Sequence, residues 1–242
     1  MSNPLHQGQV LLEIKDLSCK IGQQNILSNI RFSCLKGDIV GVIGPNGSGK
    51  TTLMECIAGL RPQHSGIVDV SGKAIDQRDR HKHFFYQPDQ ILPYPDHAVF
   101  ATLNFFRQMM NVSQVRLRNV IDRLKLEPVL NKSAKDLSRG YQKRLLIAIA
   151  LLSKNDILML DEPFEGLDIR QTKEVVSILK DEKELGKTLI LSIHQIADAQ
   201  RIADNFLLLS SGKLLGYGDL GMLQTVAGLK DGTLEDVFVA LT

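Results

Sequence analysis

The chain has 242 residues, 43% hydrophobic and 23% charged, the balance of a soluble globular protein long enough to bury a sizeable core. A formal net charge of +2, with Lys and Arg spread among Asp and Glu, gives no basic stripe, so no nucleic-acid partner is expected. Cys19, Cys34 and Cys56 are odd in number and lack metal-ligand spacing, which reads as reduced thiols in or near the core, in a reducing compartment.

The N-terminal "MSNPLHQGQV" is polar and carries no secretory signal. "VLLEIKDLSCKI" (Val10 to Ile21) predicts a strand or two, and "NIRFSCLKGDIVGVIG" predicts a strand, a Lys36-Gly37-Asp38 turn and a buried strand. "KTTLMECIAGL" predicts a helix ending near Gly59, "GIVDVSGKAI" a hairpin around Ser71-Gly72, and "KHFFYQ" a short strand. After the Pro-rich loop "PDQILPYPDH" the texture turns helical. "AVFATLNFFRQMM", "SQVRLRNVIDRLKL" with Ser113 as a possible cap, and a helix opening at "LSRGY" form an all-helical insertion in an α/β chain. "DILMLDEP" returns to a buried strand; "KTLILSIH" and "NFLLLSSGKLLGYG" supply more strands, with the helix "IRQTKEVVSILKDEKEL" between the first two. The tail "DGTLEDVFVALT" has a Thr233-x-x-Asp236 capping pattern. No apolar run reaches the ~18–20 residues that span a bilayer; "LLIAIALL" reads as a buried helix.

The chemistry begins at "GPNGSGKT": Gly44, Pro45, Asn46, Gly47, Ser48, Gly49, Lys50 and Thr51, with Thr52 behind them. This is a full G-x-x-x-x-G-K-[ST] phosphate loop between a buried strand and a helix, the context that confirms it. Its glycines let backbone N–H groups wrap phosphates, Lys50 reaches the β- and γ-phosphates, and the Thr51 hydroxyl is a ligand for Mg²⁺. "ILMLDEP" ends a strand in two acids: Asp161 can hold the Mg²⁺ shell and Glu162 can act as general base on an attacking water. His194 ends "TLILSIH", on the sheet edge where open α/β folds bind ligands, and can hydrogen-bond a γ-phosphate. Ser138 stands at an N-cap position before a long apolar-periodic helix, a second anion-binding helix start. His81 and His83 flank a Lys in a charged loop and read as bland.

In order, the phosphate loop, Gln87 at the end of "FFYQ", "LSRGY" (Leu137 to Tyr141), "LMLDEP", "EGLD" and "SIH" resemble the motifs of the ATP-binding cassette (ABC) ATPase family over essentially the whole chain. The resemblance implies an α/β phosphate-loop NTPase core with a mixed sheet, an N-terminal antiparallel β-subdomain and an inserted helical subdomain. It implies one domain over 1–242: a core at 1–87 and 156–215, a helical subdomain at 88–155 and a short helical tail at 216–242. It also explains the second anion site. In this family two cassettes pair head to tail, each ATP sandwiched between one phosphate loop and the other subunit's signature. Ser138 and the Gly140 N–H would then bind the γ-phosphate of ATP held by a partner cassette, expected to be a second copy. Asp168 would lie at the dimer seam, and Gln87 would sense Mg²⁺ and water while the loop after it couples to a partner.

Two departures stand out. The usual LSGGQ signature has Arg139 and Tyr141 in place of a Gly and the Gln. The aromatic residue that usually stacks on adenine is replaced by Ile21, before Gly22. Stacking on an aromatic is worth roughly 1–3 kcal/mol, so weaker or less base-selective ATP binding is expected. A basic residue in the signature and the ending "LEDVFVALT" look like the bacterial export branch, whose permeases are separate chains. The expected function is thus an ATP-hydrolysing transporter subunit, peripheral on the cytoplasmic face of the inner membrane. The alternatives are a soluble ABC ATPase that remodels a nucleic-acid or protein assembly, and a regulatory ATP-driven dimer.

Overall fold

In the computed structural model, which describes residues 8–89 and 91–242, the chain runs β1 (Val10–Ile21), β2 (Gln24–Leu35), β3 (Ile39–Ile43), α1 (Lys50–Ala58), β4 (Ser65–Val70), β5 (Lys73–Ala74), β6 (Phe84–Gln87), α2 (Val99–Met109), α3 (Gln114–Arg123), α4 (Arg139–Leu151), β7 (Ile157–Asp161), α5 (Ile169–Glu184), β8 (Thr188–Ile193), α6 (Ile196–Ile202), β9 (Asn205–Ser210), β10 (Lys213–Gly218), α7 (Leu220–Ala227) and α8 (Leu234–Leu241). The polar N-terminal stretch read for a secretory signal lies mostly outside the described residues.

The strands form a four-stranded antiparallel sheet, β2-β1-β4-β5, and a six-stranded sheet, β10-β9-β3-β8-β7-β6. In the larger sheet every pair is parallel except β9–β10. All residues of β3, β7 and β8 are buried, as expected for central parallel strands covered on both faces. Their side chains alternate between two cores, as a period of two requires. Ile39, Ile43, Leu158, Leu160, Leu189 and Leu191 face the core that holds α4 and α5. Val40, Val42, Ile157, Met159 and Ile190 face a second core, with α1 and the antiparallel sheet. This is the mixed α/β phosphate-loop architecture expected, and all three cysteines are free and buried.

Most local readings hold. Gly59 ends α1 in a left-handed C-cap, the Ser113 side chain caps α3, and Thr233 with Asp236 forms a capping box at α8. The first segment is one strand, within the one or two expected, with bulges around Asp16 (φ 54°). Other readings need correction. Helix α6 had no sequence counterpart, because it is short and follows a strand whose apolar run dominates the local pattern, and α7 falls in the tail expected to be helical but was not read as an element of its own. Strand β10 also runs to Gly218, past 215, so the C-terminal helices begin later than expected.

The helical segment is stapled to the core by ions. Glu182 on α5, 1% exposed, accepts from Arg116 Nη2 (2.7 Å) and Arg123 Nη1 (2.5 Å) on α3. Arg116 also donates to the Leu151 carbonyl at the end of α4 (3.0 Å). Removing the shared carboxylate leaves Arg116 without a carboxylate partner and Arg123 with only the exposed Asp181 (3.1 Å). Glu182→Ala should lower unfolding stability by about 3 kcal/mol in urea titration. Lys82→Ala, which breaks the exposed pair with Asp79, should shift nothing measurable.

Candidate active site

The phosphate loop hangs between β3 and α1, and its glycines are there for room. A Cβ on Gly44 would overlap the Leu209 carbonyl oxygen and sit 2.6 Å from Ser48 Oγ. Gly49 (φ 105°) lies against Leu27 Cδ2 and the Ile26 carbonyl of β2. Gly49 is also the N-cap of α1 and, lacking a side chain, makes no side-chain cap. The first-turn N–H groups of Lys50, Thr51 and Thr52 therefore have neither an intrahelical acceptor nor a capping oxygen. Ser48 is held by its backbone, N–H to the Pro45 carbonyl (3.1 Å) and carbonyl from the Gly212 N–H (3.0 Å). Its Oγ is buried and has no partner among the described residues. Exposed N–H groups, an orphaned buried hydroxyl and a positive helix end together fit an anion. Lys50 Nζ donates to the carbonyls of Gly44 (2.8 Å) and Pro45 (3.3 Å). Burial pushes its ammonium below the usual lysine range, against the pull of Glu162 and Asp161.

Asp161, 5% exposed at the end of β7, is oriented by three hydroxyls. Its Oδ2 accepts from Thr51 (2.9 Å) and Tyr86 (3.1 Å), and its Oδ1 accepts from Ser192. The Tyr86 phenol is held protonated by burial and by that carboxylate. Glu162 follows in the left-handed region (φ 49°). Its N–H donates to Ser192 Oγ (2.9 Å) and its carbonyl accepts from Lys143 Nζ (2.8 Å). Burial first, then a hydrogen bond and repulsion from Glu165, raise the Glu162 carboxyl to about 7, with Lys50 pulling the other way. Glu162, Asn46 and His194 line one cleft of about 260 Å³, together with Glu165 and Ser192.

Gln87 ends β6 in register with Leu160, the residue before Asp161, and its Nε2 donates to the Pro88 carbonyl (3.1 Å). The cleft beside the phosphate loop has no lining residue from the "LSRGY" segment. Ser138 is the N-cap of α4 in extended conformation, with no side-chain cap bond, so its hydroxyl is not consumed by its own helix. Gly140 is buried, and a Cβ there would stand 2.8 Å from Gln171 Oε1. Asp168 caps α5 in a capping box with Gln171, which gives it an intrachain task the sequence reading did not assign. Ile21 is 46% exposed at the end of β1, on the hairpin whose second strand backs Gly49.

The sequence reading missed Tyr86, Ser192, Asp89, Lys143 and Glu165. Ser192 was the most detectable, being a hydroxyl inside the otherwise apolar strand "TLILSI". Nothing local marks Lys143 or Asp89, which meet across 54 residues of chain.

The family model described as ABC transporter matches residues 27–165. The chain belongs to the ABC transporter family. Among ABC relatives, ATP-binding protein MJ1023 of Methanocaldococcus jannaschii is 32% identical over 213 residues, covering 86% of this chain and 78% of that one. The ABC-type transporter ATP-binding protein EcsA of Bacillus subtilis is 29% identical over 238 residues, covering 96% of each. A solved ATP-binding subunit of an ABC transporter superposes with a TM-score of 0.87 at 28% identity, covering 96% of this chain and 99% of that one. The chain is thus an ABC ATPase. The cassette has no tolerance at its first glycine. Gly44→Ala should abolish ATP binding in a fluorescent-nucleotide titration, because the methyl can enter only by displacing β9 from the loop.

Proposed function

We propose that this ABC ATPase is the ATP-hydrolysing subunit of a transporter, pairing with a second copy around two ATP and driving a separate membrane permease, in the direction of export. The observation that carries the reading is the division of the site. Phosphate loop, acids and His194 gather at one cleft, while Ser138 and Gly140 stand outside it with the N-terminus of α4 free. An ATP held by one subunit's loop can then be completed by the other subunit's α4, and loss of the γ-phosphate releases the pair, a ligand-biased two-state element. Asp168 at the seam joins α5 to the same contact. The export direction is supported by the basic residue in the signature.

In the hydrolytic step, the Lys50 ammonium and the free N–H groups of the loop between Gly44 and Thr52 bind and orient the phosphates. Thr51 and Asp161, whose oxygens already meet, form with the Gln87 amide an all-oxygen set that suits Mg²⁺. Bound there, Mg²⁺ would supply charge neutralisation at the phosphate oxygens. Glu162 takes a proton from the attacking water, and His194 hydrogen-bonds the γ-phosphate. Ile21 packs on the base without a π-face.

A partner surface lies beside the loop that follows Gln87. Ile91, Tyr94, Phe100, Phe105 and Met109 are exposed there, with Tyr94 edge-on to Phe105 at 5.2 Å, and an apolar patch of this kind marks a protein contact. No helix among the described residues is long and apolar enough to cross a membrane, so location at the membrane's cytoplasmic face would come from docking on the permease.

Two measurements test this reading. A base works deprotonated, so turnover should rise with pH through a limb near the Glu162 value of about 7. Glu165→Gln should move that limb to lower pH by removing the neighbouring charge; an unmoved limb would separate it from the Glu162 environment. Tagged Glu162→Gln protein, pulled down with ATP from detergent-solubilised native membranes, should bring a polytopic membrane protein in stoichiometric amount. Recovery of only soluble partners or nucleic acid would sink the transport reading and leave the ATPase chemistry intact.

A further inference from the structure

Glu162 carries an unfavourable backbone. A non-glycine residue at φ 49° persists only where its surroundings hold it. One peptide plane is pinned by Ser192, which accepts the Glu162 N–H at 2.9 Å. The other is pinned by Lys143, whose Nζ donates to the Glu162 carbonyl at 2.8 Å. The same ammonium donates to Asp89 Oδ1, also at 2.8 Å. Lys143 lies on α4, one turn into the helix that starts at the signature, and its side chain is 9% exposed. A buried ammonium keeps its place only while both acceptors stay. Asp89 lies two residues past Gln87, in the Pro-rich segment between β6 and α2. Its carboxylate also comes within 4.8 Å of those of Glu162 and Glu165. Arg139, Gln142, Glu165 and Gly166 line the rest of this cleft, of about 310 Å³.

We propose that Lys143 is a positioning residue for hydrolysis: it ties the loop after Gln87 to the backbone of Glu162, so the setting of that carboxylate depends on where the loop and α4 stand. The proposal rests on the reading of Glu162 as the base. It explains how a displacement of the permease-facing loop is felt at the reacting water without any change in the phosphate loop. Asp89 moves, Lys143 follows, and the peptide after Glu162 turns.

The test is steady-state ATP hydrolysis by the full chain with Lys143→Met, Asp89→Asn and the double variant, with thermal melts recorded alongside. Lys143→Met should lower kcat between about tenfold and a hundredfold, the cost of a misplaced catalytic group, while KM for ATP stays within about twofold. Asp89→Asn should give a smaller kcat loss, also at constant KM. Assayed above the pH limb, where the direct charge effect of Asp89 on Glu162 is not read, the double variant should match Lys143→Met alone, because the positional effect of Asp89 passes through the lysine. Unchanged kcat in Lys143→Met, a KM rise that accounts for the loss, or multiplying losses in the double variant would each overturn the tie. If Lys143→Met does not fold, Asp89→Asn decides by whether kcat falls at constant KM. Glu162→Gln assayed in parallel separates the two readings. Normal turnover there removes the base assignment, whereas loss there with normal turnover in the lysine variant removes the tie alone.

Discussion

Four elements of this fold meet at one carboxylate. Asp161 closes β7 and takes hydroxyl bonds from Thr51 on α1, Tyr86 on β6 and Ser192 on β8. A buried carboxylate is costly unless such donors surround it, and Ser192 serves twice, since its Oγ also accepts the Glu162 N–H. The parallel register that places Asp161 opposite Ser192 and Gln87 opposite Leu160 follows from this need as much as from packing. It also sets the chemistry, since the Thr51 and Asp161 oxygens that would share a cation already touch.

Around that point the two cores have different tasks. The core with α1 and the antiparallel sheet clamps the phosphate loop from behind, where Leu27 and Ile26 meet Gly49, and Ile26 also bars a Cβ at Gly212. The core with α4 and α5 carries the signature helix. The Glu182 cluster binds α3 to α5 and to the end of α4, and nearer the signature Arg144 pairs with Glu174 of α5 (3.2 Å) and Lys143 with the Glu162 carbonyl (2.8 Å). The N-terminus of α4 is left at the surface. A helix start with a free N-cap hydroxyl, Ser138, and a glycine pressed against Gln171 suits an anion brought from outside the subunit.

The fold and the nucleotide machinery were legible in the sequence because their signals are local. A strand of five buried apolar residues, a glycine-rich turn and a helix fall within a dozen positions, and the strand ending in Asp161 and Glu162 is equally contiguous. What escaped reading depends on distance in the chain. Tyr86 looked like one more aromatic in a strand, and Lys143 like one more charge on a helix whose other face is apolar. Both acquire their meaning only when β6, β7 and α4 are packed. Helix α6 escaped for another reason. Its 7 residues hold barely two turns, too few for a helical period to stand out from the strands on either side. Asp168 was placed by resemblance at an interface. Its capping box with Gln171 shows that the same residue also starts α5, and neither task excludes the other.

The departures from the usual signature gain a physical setting from this packing. The Arg139 stem lies over Gly166: a Cβ on that glycine, itself at φ 78°, would be 3.3 Å from Arg139 Cβ. Its guanidinium borders the cleft that also holds Asp89 and Glu165. Left uncompensated, Asp89 and Glu165 beside Glu162 would oppose both an incoming polyphosphate and an ionised base. Lys143 answers Asp89 directly, and Arg139 adds a second positive charge on the side facing the N-terminus of α4. Beyond the effect of burial, Glu165 hydrogen-bonds and repels Glu162 and so raises its carboxyl, while Arg139 lines the same cleft as Glu165. Glu165 and Asp89 raise the Glu162 carboxyl and Lys50 lowers it, so the protonation of that carboxyl depends on the charges placed beside it.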